Sequence, residues 1–193
     1  MSARLQIINY KKMKAQNIIN LSISIIICEF AGVIGSIFTF PAIGAWYKNL
    51  NKPVFNPPSW IFGPVWTFLF LLMGISFYLV WKEKWVVKNK IGIANKKSWN
   101  VLSTKLWEGD WQKVNIITIF FVQLVLNICW SIIFFGARSP AVAFFELLAL
   151  WFAILFTIIN FYRVSKTAAY LLMPYILWVS FAGVLNFVLW IIN

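Results

Sequence analysis

VNIITIFFVQLVLNICWSIIFFG, Val114–Gly136, decides the fold class. It carries no charged side chain, and about 20 mostly apolar residues are what a helix needs to cross a hydrocarbon core of about 30 Å. Four other stretches have the same character: Ile18–Phe40, Trp60–Trp81, Ala141–Tyr162 and Leu171–Ile192. The expected architecture is an all-α membrane protein, a bundle of five transmembrane helices forming one domain over residues 1–193. The first stretch is too long for a signal peptide and runs through Thr39 without an Ala-x-Ala cleavage site. Composition agrees. Hydrophobic residues make up 62% of the chain and charged residues 11%, against about 25% charged in soluble domains.

The net charge of +12 is a topology signal and not a nucleic-acid footprint, because the basic residues lie in short tracts between apolar runs. One side of the predicted bundle carries Arg4, Lys11, Lys12 and Lys14, eight lysines from Lys82 to Lys113, then Arg163 and Lys166. The other has only Lys48, Lys52 and Arg138, fourteen against three. The positive-inside rule then puts the N-terminus in the cytoplasm and the C-terminus outside, on the assumption of a prokaryotic inner membrane. Cys28 and Cys129 both fall in apolar runs, where a thiol behaves as a small hydrophobe.

The connections differ. Ala137–Pro140 is short enough to make spans three and four an antiparallel hairpin. Lys82–Lys113 is long, basic and dotted with tryptophans; it is either a membrane-surface segment or a solvated cytoplasmic loop. Pro41–Ser59 holds four prolines and almost no charge. Fixed φ angles make it stiff, and its apolar character calls for a surface to pack on, so it is a candidate lid over the outer mouth of the bundle.

Polar groups inside spans are costly and need a reason. Glu29 either bonds another helix or lines a polar cavity. Glu146, Leu150, Ala153, Thr157 and Asn160 form a small-and-polar stripe suited to bundle packing. In span three Gln123, Asn127, Trp130 and Phe134 share a face, as do Trp66, Phe70, Met73 and Phe77 in span two and Tyr175, Trp178, Ala182 and Asn186 in span five. Such faces suit tight helix packing, and equally a cage in which a planar ligand stacks on rings and is oriented by amides. The chain has no histidine, no Gly-rich phosphate loop, and no metal-ligand or nucleophile–base spacing. No metal or cofactor is expected.

Three motifs then carry a resemblance. The first runs Trp46-Tyr47-Lys48-Asn49-Leu50-Asn51-Lys52-Pro53, Asn56-Pro57-Pro58-Ser59-Trp60 and Gly63-Pro64-Val65-Trp66-Thr67. The second is Gln123-Leu124-x-Leu126-Asn127-x-x-Trp130 with Phe134-Phe135-Gly136-Ala137-Arg138. The third is Pro174-Tyr175-x-x-Trp178-x-x-Phe181-Ala182-x-x-Leu185-Asn186. Together they resemble the TspO/MBR (translocator protein, peripheral-type benzodiazepine receptor) family from about Gly32 to the C-terminus, the Lys82–Lys113 loop excepted.

The resemblance implies a five-helix homodimer with a pocket beneath the first loop that binds porphyrins such as protoporphyrin IX. By motif position the ligand-binding residues would be Trp46, Tyr47, Pro57, Pro58, Trp66, Asn127, Trp130, Trp178 and Ala182. Lys48, Lys52 or Arg138 would meet the ligand's carboxylates at the outer mouth. Some bacterial members are credited with light-dependent porphyrin breakdown, for which Trp66 and Trp178 would be the catalytic candidates as radical partners of the excited ring. A regulatory role through partner contacts is a further alternative, supported by the small-xxx-small pairs Ala31/Gly35 and Gly32/Ser36. Animal members end in a sterol-recognition pattern of Tyr and then a basic residue. Here Phe187 stands in place of the Tyr and no Lys or Arg follows, which argues against sterol binding.

Overall fold

The computed structural model describes residues 3–91 and 116–193, with side chains over 15–82 and 116–193. Within them lie five helical spans and no strand. Helix α1 covers Ala3–Ala45, α2 Phe62–Ile91, α3 Ile116–Gly136 and α4 Pro140–Val164; the fifth span is α5, Lys166–Leu171, followed by α6, Met173–Ile192. In lipid every backbone N–H and C=O must be satisfied internally, and unbroken helices do this. The expected basic loop begins as helix, since α2 runs on to Ile91. Whether the rest lies on the membrane surface concerns residues 92–115, outside the described part.

Two boundaries differ from the sequence reading. α1 passes through Pro41 and ends at Ala45, so the lid starts at Trp46 and not at Pro41. Proline costs one backbone bond, which a membrane helix tolerates where neighbours reinforce it; here Trp46 N–H still closes on Ala42 O at 2.9 Å. The fifth span starts earlier than Leu171. Ser165 Oγ caps α5 by accepting from Ala168 N–H, and Pro174 sits in the first turn of α6, where a missing N–H is harmless.

Apolar burial does not by itself drive helices together in lipid; close packing and a few hydrogen bonds do. α1 and α2 approach until backbones touch: a Cβ on Gly74 would lie 2.6 Å from Ile25 Cα. Ser76 Oγ–H donates to Ala168 O at 2.7 Å and ties α2 to α5. The core at the end of the bundle away from the lid is a ring stack, Phe77 on Phe120 at 4.6 Å and Phe120 on Phe161 at 5.7 Å. α4 packs along α6, joined by Trp151 Nε1–H to Ser180 Oγ at 2.8 Å. α3 ends in a π turn, Ile132–Gly136, and Arg138 takes φ 53° to reverse the chain into α4. Large apolar side chains such as Ile26, Phe30, Phe145 and Phe152 cover the outside, as a lipid-facing surface requires.

Candidate functional site

Under the outer end of the bundle lies a cavity of about 560 Å³. That is within the range of small-molecule sites, about 300–1,000 Å³. Its walls come from four helices and the lid. α2 contributes Phe62, Trp66 and Phe70, and α3 contributes Asn127, Trp130 and Phe134. α6 adds Ala182, Leu185 and Asn186, spaced as one helical face. From the lid, Tyr47 closes the top.

The rings hold one another in place. Trp66 lies 5.7 Å from Phe70 and 6.5 Å from Trp130, tilted by about a third of a right angle in both cases (31° and 32°). Trp130 stacks on Phe134 at 5.2 Å and 20°. Tyr47 wedges between Phe62, Phe134 and Phe135, 3% exposed, and its O–H donates to Asn56 Oδ1 at 2.6 Å. Burial pushes the Tyr47 phenol above its ordinary value of about 10, opposed by the Asn56 bond. The phenol is therefore a neutral donor at physiological pH.

Three amides and indoles carry the polarity. Asn127 Nδ2 donates to Tyr175 Oη at 2.9 Å, which fixes the α3 and α6 faces relative to each other. Asn186 Nδ2 donates to Pro140 O at 2.9 Å, while its Oδ1 has no protein donor; Trp130 Nε1–H has no protein acceptor. A buried polar atom left unpaired costs about 1–3 kcal/mol. Two wall residues of the cavity thus hold hydrogen-bonding capacity that the protein itself leaves unmet.

The profile of the TspO/MBR family matches residues 24–191. The chain belongs to the TspO/MBR family. It is 36% identical over 177 residues to the "Tryptophan-rich protein TspO" of Archaeoglobus fulgidus, covering 92% of this chain and 99% of that protein. It is 38% identical over 157 residues to the human "Translocator protein", covering 81% and 80%. A "Tryptophan-rich sensory protein" of Cereibacter sphaeroides is 29% identical over 142 residues, covering 74% and 73%. Family membership and the five apolar helices make this an integral, multi-pass membrane protein.

Of the residues expected at the site of this TspO/MBR chain, Tyr47, Trp66, Asn127, Trp130 and Ala182 line the cavity. Trp46, Pro57, Pro58 and Trp178 are not in its wall. Trp46 sets its edge on Phe134 at 5.6 Å; Trp178 packs 6.1 Å from Phe62 and 5.5 Å from Phe181, with its Nε1 buried and unpaired. Pro57 accepts from Asn56 Nδ2 at 3.0 Å and helps shape the lid. Trp46 and Trp178 thus back the wall through Phe134 and Phe62. Of the three cations expected at the mouth, Lys52 donates through Nζ to Lys48 O and Leu50 O and sits 5.0 Å over the Tyr47 ring.

The sequence reading missed the α1 wall. Glu29, Gly32, Val33, Ser36, Phe40 and Ile43 form one stripe along the cavity. Of the two readings of Glu29, the cavity-lining one is observed. The small residues of α1 had been read as suited to partner contacts; within the chain Gly35 packs on α3, where a Cβ would meet Ser131 Oγ at 3.0 Å. Gln123 is buried with its amide unpaired but does not reach the cavity.

Proposed function

We propose that this chain binds a flat, largely apolar tetrapyrrole such as protoporphyrin IX in the cavity, holding it for sensing, sequestration or transfer within the membrane. The single observation carrying this reading is the meeting of Trp66, Trp130 and Phe134 with the Asn127 amide in the wall of one cavity of about 560 Å³. Rings supply stacking area, and the few polar side chains of the wall, among them Ser36, Thr39 and Thr67, orient a ligand that has both N–H and carboxyl or ring-edge groups. The printed names of its relatives, "Translocator protein" and "Tryptophan-rich sensory protein", support a transport or sensing role. The N-terminus lies in the cytoplasm, on the charge bias, and the lid faces outward. A homodimer remains part of the proposal through the family alone.

Light-driven porphyrin degradation is the weaker reading. It calls for Trp66 and Trp178 against the ring, and only Trp66 lines the cavity. Titration of purified protein with protoporphyrin IX in the dark, followed by tryptophan quenching, tests occupancy. Saturable quenching, weakened more by Trp66→Ala than by Trp178→Ala, supports the reading; non-saturable quenching in the unmodified protein sinks it. Illumination of the loaded protein separates the second reading, which requires faster bleaching than free porphyrin and its loss in Trp66→Phe.

A further inference from the structure

We infer that the ligand enters from the bilayer, through the seam between α1 and α2, and not from the aqueous face past the lid. This rests on the proposed occupancy of the cavity.

The lid is fastened. Asn193 clasps it in both directions: Asn51 N–H donates to Asn193 Oδ1 at 2.8 Å, and Asn193 Nδ2 donates back to Asn51 O at 3.0 Å. The same Nδ2 also reaches Leu189 O at 3.0 Å, anchoring the clasp to α6. Inside the lid Tyr47 is tied to Asn56 and wedged among three phenylalanines, while Phe55 lies 6.4 Å from Phe181 of α6. Opening this way breaks the clasp and unburies Tyr47.

The flank is different. Seven residues line the cavity and are also exposed on the outside of the bundle: Val33, Ser36 and Phe40 from α1, Ser59 and Trp60 just before α2, and Gly63 and Thr67 from its start. Phe40 is 83% exposed and Trp60 73%. A wall residue exposed to that degree borders an opening. No side chain fills the middle of the seam, because Ser36 and Gly63 are small and a Cβ on Gly63 would meet nothing within 4 Å. No hydrogen bond of either residue crosses the seam: Ser36 Oγ–H and Thr67 Oγ1–H both turn back to their own helices, to Val33 O and Gly63 O. The opening lies along segments long and apolar enough to cross the membrane, so what reaches it comes from lipid. A planar, bilayer-partitioned ligand fits that route edge first, passing between Ser36 and Gly63 where neither backbone carries a bulky side chain.

The experiment is stopped-flow tryptophan quenching by protoporphyrin IX with the protein reconstituted in phosphatidylcholine vesicles. Gly63→Phe and, one turn on, Thr67→Trp plug the seam. Gly44→Phe is the matched control, since that glycine also has open space around it and does not line the cavity. Each plug is expected to slow association about tenfold or more, and dissociation with it, while Gly44→Phe and the clasp variant Asn193→Ala associate like the unmodified chain. Association unchanged in both plugs, or accelerated about tenfold by Asn193→Ala, overturns the route. The end-points of the same traces read occupancy separately: absence of saturable quenching in the unmodified chain overturns the binding proposal itself.

Discussion

Trp130 does two jobs that a substitution can separate. Its ring stacks on Phe134, and its Nε1–H is unpaired in a wall that also holds the unpaired Asn186 Oδ1. Trp130→Phe keeps most of the ring and removes a buried donor that has no protein partner, so protoporphyrin IX affinity should stay within about threefold of the unmodified chain. Trp66→Ala removes a whole wall face and should cost more, roughly tenfold to a hundredfold, read in the same titration. Tyr47 sets a pH dependence. Its folded phenol holds a proton that the unfolded chain releases near pH 10, so this stabilisation is complete below about pH 10 and is lost as pH rises from there through the higher folded value. Melting curves should show a steeper alkaline fall for the unmodified chain than for Tyr47→Phe. Trp66, Asn127 and Trp130 were legible in the sequence because rings and amides at helical spacing announce themselves. The α1 wall was not, because Gly32 and Ser36 make their part of the cavity by lacking a side chain, and a missing side chain reads equally as a close helix contact.

At the scale of elements, the helices were legible from uncharged apolar length, while their ends were not. Pro41 reads as a helix stop but is carried within α1, and the break at Leu172 separates α5 from α6 inside one apolar run. Tertiary context decides both, through packing and capping that local composition does not contain. The α1–α2 pair is where packing is tightest. Any Cβ at Gly74 meets the Ile25 backbone at 2.6 Å, and backbone cannot turn aside as a side-chain tip can. Gly74→Ala should therefore push the two helices apart and cost about 1–3 kcal/mol, seen as a lowered thermal midpoint in detergent. Ala substitution at Gly44, with nothing within 4 Å, should leave the midpoint unchanged or raised. If both behave alike, the close approach of α1 and α2 is wrong.

For the whole molecule, the orientation proposed from the charge bias is open to test, and the structure supplies a place to read it. Val54 in the lid is fully exposed, so Val54→Cys should react with a membrane-impermeant maleimide added to intact cells; labelling only after lysis would reverse the topology. The molecule also has a second recess of about 410 Å³ on the outer side of the α4–α6 pair, lined by Phe144, Trp151, Gly183 and Phe187. Its lining is almost wholly apolar, with the Trp151 indole N–H already paired to Ser180. It therefore lacks the polar groups that Glu29, Ser36, Thr67 and Asn127 bring to the inner cavity, and the two sites make different statements about where a tetrapyrrole sits. The direct test is crystallographic density for protoporphyrin IX in the loaded protein. The account predicts the macrocycle beneath Tyr47, against Trp66 and Trp130. Density in the α4–α6 recess, with the inner cavity empty, would contradict it.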